Sequence, residues 1–242
     1  MLFPYVEEDG EFDLIPEQCL RDYPVAYGYL RKHYARLEER VWFGKNAREL
    51  SGAWYGLMYL ERASSFRKPH LLTPSLSRVT NFAMGNGSLF ATGTAGVTGL
   101  VLKPSVPTAY LLGLLNSSLF SVYVSKHSPI YQGGFRKYSA PYLRDLPIKI
   151  DRTGSGPTAA SREQRIAELA EVAASSTSLA RSVTAPSSRE LHRRRARAAR
   201  REIDDLVLQH YGFSGESISW VSKQWSCLAG SLSRPVANEI ED

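Results

Sequence analysis

The chain has 242 residues and a mass of 27.0 kDa, with 43% hydrophobic and 22% charged residues. These values exclude wholesale disorder and a collagen-like repeat, and they leave room for one or two domains with a sizeable core. The net charge of +6 is mild, but it is unevenly spread. Residues 1–61 hold 7 basic and 11 acidic side chains, residues 62–144 hold 9 basic and no acidic ones, and residues 145–242 are nearly balanced. A surface that lies against phosphate has a physical reason to exclude carboxylates, because each one repels the polyanion.

Taken in chain order, Pro24 to about Arg40 is expected to be a helix. Pro24 suits a first helical turn, and Ala26, Tyr27, Leu30, Tyr34 and Leu37 recur at three- and four-residue spacing. The aromatics Trp42, Phe43, Trp54, Tyr55 and Tyr59 are expected mostly in the core, although base stacking is a minority alternative. From Lys68 to Lys103 the period shortens to a meander of short strands, with a Thr73-Pro74 break and a Gly85-Asn86-Gly87 hairpin signal. Ser88–Ala91 and Val97–Leu102 are two of the expected strands.

Residues 104–125 carry no charge, but Pro104, Pro107 and Asn116 interrupt the run. It is therefore expected to hold a buried helix from Pro107 to about Leu119, and no membrane span. Residues 129–147 are expected as a polar and aromatic loop, followed by an extended Leu146–Ile150. Residues 151–161 have linker composition. Two helices are expected within 162–212, the second capped by Ser187 or Ser188 and stopped at Gly212, with residues 213–242 as a tail. The second helix carries seven arginines between Arg189 and Arg201. The whole is expected to be α+β: a mixed, short-stranded sheet with packed helices in residues 1–150, followed by a C-terminal helical hairpin.

Signals for catalysis are thin. Cys19 and Cys227 make neither a disulfide framework nor a zinc site, no histidine pair has ligand spacing, and there is no phosphate-binding glycine loop. The acidic N-terminus does not read as a signal peptide, so a cytoplasmic location is expected. Ser139-Ala140-Pro141-Tyr142 resembles the Asn/Asp/Ser-Pro-Pro-Tyr motif of amino-directed DNA methyltransferases. Alanine stands where that motif has proline, and no glycine-rich turn on a βαβ unit precedes it. No catalytic residue and no metal ligand is expected.

The order of segments resembles the C-terminal target-recognition (specificity) domain of TaqI-type adenine-specific DNA methyltransferases. The resemblance rests on Tyr23-Pro24 to Leu30, Leu37 to Arg40, Trp54-Tyr55 before Lys68-Pro69, and Leu71 to Phe82. Its most specific piece is Ala109-Tyr110-Leu111-Leu112-Gly113-Leu114-Leu115-Asn116-Ser117-Ser118-Leu119. Leu146-Pro147-Ile148, and Glu202 to Val207 before Tyr211-Gly212, complete it. His70 and Ser118 stand where the family usually has lysine.

The resemblance implies sequence recognition on double-stranded DNA, as part of a restriction–modification or phage-defence system. Methyl transfer and S-adenosylmethionine would belong to a partner methyltransferase domain or subunit, with no cofactor on this chain. Arg67, Lys68, Arg78, Lys126, Gln132, Arg136, Lys137 and Tyr138 are the expected DNA contacts, since arginine can grip guanine and glutamine adenine. Arg193, Arg194, Arg197, Arg200 and Arg201 are expected to meet phosphates or a partner protein. The alternative is a protein-interaction module that docks a methyltransferase without DNA specificity of its own.

Overall fold

A computed structural model describes residues 2–9, 11–58, 60, 71–85, 87, 96–150 and 157–232. The chain divides into two compact units, residues 1–68 and 69–242. The expected block over 1–150 spans the boundary between them. The α+β class holds, with several small sheets in place of one.

The first unit opens with a hairpin of β1 (Tyr5–Glu8) and β2 (Glu11–Leu14), followed by α1 (Glu17–Leu20), α2 (Pro24–Lys32) and α3 (Tyr34–Glu38). The helix expected from Pro24 to Arg40 is broken at His33, whose φ of −109° and ψ of 18° leave the helical region. The break lets Tyr34 and Leu37 join Tyr27 and Leu30 around Trp54 and Tyr55, which form the core with Leu20. Arg40 fastens this cluster. Its guanidinium donates to the carbonyls of Leu37, Trp54 and Gly56 at 2.8–3.0 Å.

A second hairpin, β3 (Val41–Trp42) and β4 (Lys45–Asn46), leads into α4 (Ala47–Ser51). Asn46 and Glu49 close a reciprocal capping box at its start, and Gly52 ends it at φ +86°. At the hairpin tip Phe43 is 87% exposed, so it does not join the core as expected, and its φ of +46° is one that aromatic side chains rarely adopt.

In the second unit the chain threads two small sheets. β5 (Leu71–Pro74) is central between β7 (Ala83–Met84) and β8 (Val97–Leu100). β6 (Leu76–Ser77) leaves for a different sheet, pairing with β10 (Phe135–Lys137), which in turn pairs with β9 (Ile130–Tyr131). The expected simple meander is thus divided at Ser75. This buried residue donates its N–H to Gly96 O and accepts from Tyr138 N–H, both at 2.8 Å. Thr98 Oγ1 lies 3.1 Å from Ser75 Oγ and donates to Tyr138 O at 2.6 Å, completing the joint. The expected strand Ser88–Ala91 lies outside the described residues, as does Asn86 of the expected hairpin.

The leucine-rich run forms α5 (Thr108–Leu115), and the chain then turns by 65° into α6 (Ser118–His127). Two side chains make the bend. Asn116 turns away to bond Phe82, and Ser117 caps α6 by accepting from Phe120 N–H. Asp204 accepts from Ser118 N–H at 2.6 Å, and its burial holds its carboxyl above the usual range. Among the described residues no single helix is long and apolar enough to cross a membrane.

After β10 a short α7 (Ala140–Leu143) follows, and Leu146–Ile150 forms no strand. α8 (Pro157–Ser182) and α9 (Pro186–His210) form the expected helical hairpin, packed on α5. α8 begins inside the stretch expected to be linker, because residues 157–161 are already helical. α9 starts on Pro186, without a serine cap, and Gly212 at φ +75° ends it as expected. At Gly113 a Cβ would lie 2.7 Å from Ile166 Cγ2 and 3.1 Å from Ile166 O, so α5 and α8 approach as closely as they do only because this residue is glycine.

The expected tail corrects to α10 (Gly215–Leu232). Its Ile218, Val221, Trp225 and Leu228 recur at helical spacing and pack on Val122 and Leu208.

His210 is 3% exposed, and its Nε2 sits 3.5 Å from Glu163 Oε1, too far for a good hydrogen bond. Burial, assisted by the Lys149 ammonium and opposed by Glu163, holds its pKa below the ordinary histidine value. The unfolded chain therefore takes up a proton at this residue before the folded one does. Stability is expected to fall as pH drops below the ordinary histidine range of about 6.5, with a contribution of at most about 1.4 kcal/mol per pH unit. Thermal unfolding of His210→Gln between neutral pH and mild acid should show a shallower decline than the unsubstituted chain.

Candidate nucleic-acid interface

The loop expected over residues 129–147 contains a β-hairpin. β9 and β10 run antiparallel, with Phe135 opposite Tyr131 and Arg136 opposite Ile130. A 3-10 turn over Gln132–Gly134 joins them, and Gly133 and Gly134 sit at φ +73° and +78°. Those backbone angles favour glycine, so Gly133-Gly134 is what allows so tight a tip. The tip is open to solvent: Gln132 is exposed, Tyr131 is 43% exposed and Ile130 66%.

Ser128 anchors the root of the hairpin. Its Oγ donates to Lys137 O at 2.7 Å and accepts from Lys137 N–H at 2.9 Å. Arg136 Nη1 donates to Ser128 O at 2.9 Å, which orients the guanidinium across the root. Arg78 lies over the Phe135 ring at 5.3 Å, a cation–π distance. Lys126, exposed in the last turn of α6, has its Nζ 5.9 Å above the Trp220 ring of α10.

Strand alternation divides the basic residues between two faces. Arg136 shares a face with Ser77 and Ile130, which lie opposite it. Phe135, Tyr131 and Lys137 occupy the other face, where Arg78 also meets the Phe135 ring. The three strands β6, β9 and β10, together with α6, carry no carboxylate. Carboxylates, which would repel phosphate, are thus absent from these elements themselves.

Lys126, Gln132, Arg136 and Lys137 thus belong to the hairpin or to α6 at its root, and Arg78 directly follows β6. Arg67 and Lys68 lie outside the described residues. Tyr138 corrects the expectation of a DNA contact. Its side chain is 1% exposed, packs edge-on to Phe82 at 6.3 Å, and has its phenol pKa pushed up by burial. Tyr131, at the start of the Tyr131–Tyr138 stretch that the sequence offers as a groove-entering element, is exposed at the tip and is a candidate beside Gln132.

Arg193, Arg194, Arg197, Arg200 and Arg201 are all exposed on α9. Glu190 Oε1 accepts from Arg194 Nε at 3.2 Å and from Arg197 Nη2 at 2.7 Å. Among the described residues no cluster of three or more His, Cys, Asp or Glu side chains could hold a metal ion.

The family model of the TaqI-like C-terminal specificity domain matches residues 27–148. The chain belongs to this family. The match runs from α2 to just beyond α7 and takes in the whole β9–β10 hairpin, whereas α8, α9 and α10 lie beyond it. A search of curated proteins finds no match. Within the specificity-domain segment, several residues that carry the resemblance have structural roles: Arg40 fastens the first core, Asn116 bonds Phe82, and Ser117 caps α6.

Proposed function

We propose that this specificity domain reads a short double-stranded DNA sequence for an adenine-specific methyltransferase, with the β9–β10 hairpin as its groove-entering element. The observation that carries the reading is the family match over an exposed, glycine-tipped hairpin rooted in strands and a helix without carboxylates. A two-stranded ribbon is narrow enough for the major groove. Gln132 at the tip would pair with an adenine edge, and Tyr131 would pack against the bases beside it. Lys126, Arg136, Lys137 and Arg78 would meet phosphates or base edges on either side.

Methyl transfer, and the S-adenosylmethionine it consumes, would sit on a catalytic domain or subunit outside these residues. The setting would be cytoplasmic restriction–modification or phage defence. Arg67 and Lys68 remain candidate contacts on the same reading.

Removing the charges of Lys126, Arg136 and Lys137 together by glutamine substitution should weaken duplex binding and flatten its logarithmic salt dependence by about 3. Unchanged affinity and slope, measured by fluorescence anisotropy across a salt series, would remove these residues from the interface.

A second reading, docking on a methyltransferase without DNA specificity, draws on the exposed Tyr23, Val25 and Tyr29 of α2 and its approach. They lie in the acidic first segment, which suits a protein partner better than a polyanion. Binding that shows no preference among duplexes and vanishes near physiological salt would favour that reading.

A further inference from the structure

Four arginines converge where α8 and α9 meet. Arg181 comes from the last turn of α8, and Arg193, Arg197 and Arg200 follow one another on α9 at spacings of four and three. That spacing aligns the three on one helix face. All four line a cleft of about 420 Å³ whose walls include the small, buried Ala180 and Ala196. Arg181 carries no site expectation from its sequence neighbourhood. It enters only because the hairpin folds it against α9.

The charge balance of the cleft is one-sided. Glu190 is the single carboxylate among its lining residues, and its one oxygen, Oε1, accepts from both Arg194 and Arg197. Arg200 donates to a neutral group, Thr177 Oγ1, at 3.1 Å. The four lining arginines thus face one acid. Lower on the same hairpin the pattern reverses, and Arg165 is shared between Glu168 and Glu202.

Guanidiniums gathered at this density repel one another unless a polyanion lies across them. From Arg193 to Arg200 the helix advances about 10 Å. A DNA duplex presents roughly six phosphate charges over that distance. An acidic protein face offers fewer and less regular charges, and guanidinium forks match phosphate oxygens in pairs.

We infer that the Arg181, Arg193, Arg197 and Arg200 cleft is a second DNA site, one that grips the phosphate backbone without reading sequence. It rests on the DNA-recognition reading above, yet it lies on helices outside the family-matched segment. The hairpin would supply discrimination, and the arginine cleft affinity on any duplex. Glu190 would act as an internal competitor for the phosphates, because it occupies Arg194 and Arg197 when no DNA is present.

The test uses the full chain and a mixed-sequence duplex, titrated between about 50 and 200 mM salt. Arg181→Gln, Arg193→Gln, Arg197→Gln and Arg200→Gln combined should weaken binding about 10-fold or more and flatten the salt slope by about 3 to 4. These exposed substitutions should leave the unfolding temperature unchanged. Glu190→Gln should act in the opposite direction, tightening binding and steepening the slope. If the unsubstituted chain binds the duplex while both variants keep its affinity and slope, the cleft is not a DNA site. The cleft is equally excluded as a DNA site if the quadruple variant keeps DNA binding but loses a co-purifying acidic protein. If the unsubstituted chain binds no duplex at all, the recognition reading fails first and this inference falls with it.

Discussion

Trp54→Ala is expected to cost the first unit about 3–5 kcal/mol, the largest loss expected from truncating any one side chain of its core. The indole is fully buried, with Tyr34 and Tyr55 ring centroids 4.8 and 5.1 Å away. Its Nε1–H donates to Glu17 Oε2 at 3.1 Å, and this bond is the main reason the Glu17 carboxyl is held below its usual range. Truncation therefore opens a large cavity and removes one donor that holds Glu17, leaving, among the described residues, the Tyr27 hydroxyl at 3.0 Å. Trp54→Phe separates the two effects. It keeps most of the ring volume and loses the N–H, so it should cost clearly less than the alanine variant. Urea unfolding followed by circular dichroism reads both. Equal losses for Ala and Phe would mean that the hydrogen bond, and not the packing, dominates at this site.

Asn116→Ala is expected to destabilise the second unit by about 2–4 kcal/mol. The side-chain amide behaves as a strand partner for Phe82. Oδ1 accepts from Phe82 N–H at 2.8 Å, and Nδ2 donates to Phe82 O at 2.9 Å. Phe82 is itself buried and leads directly into β7, so its backbone groups have little water to turn to. Asn116→Asp retains the acceptor and loses the donor, and it should fall between the wild-type chain and the alanine variant. The same unfolding measurement checks the order. An alanine variant as stable as the wild-type chain would show that other groups satisfy Phe82.

Signals with a regular period were legible from sequence. The leucines of α5 and the stripes of α8 and α9 follow helical spacing, and the structure keeps those elements with shifted ends. The resemblance through Asn116-Ser117 was also visible as a motif. Its physical basis was not, because Phe82 lies 34 positions away and nothing local ties the two. α10 carried a readable signal in Ile218, Val221, Trp225 and Leu228, at three- and four-residue spacing inside the stretch expected as a tail.

Strand pairing was the least legible feature. Strands of two to four residues carry little alternation, and β6 pairs with β10 across nearly sixty residues. The same shortness explains the error at Tyr138. Reading Arg136, Lys137 and Tyr138 as one basic-aromatic run ignores that Tyr138 lies past the end of β10, where it packs into the core with Phe82. Within the interface, Gly133-Gly134 form a hairpin turn inside a stretch expected as a loop, whereas Arg181 had no sequence signal because only the α8–α9 packing brings it to the other arginines.

Selection of bound sequences from a randomised duplex pool tests the central claim most directly. The full chain should enrich one short motif at physiological salt, and Gln132→Ala should relax or change one position of that motif, with a discrimination of about 1–3 kcal/mol at stake. Recovery of unenriched duplexes, bound only at low salt and equally by Gln132→Ala, would contradict sequence recognition by the β9–β10 hairpin.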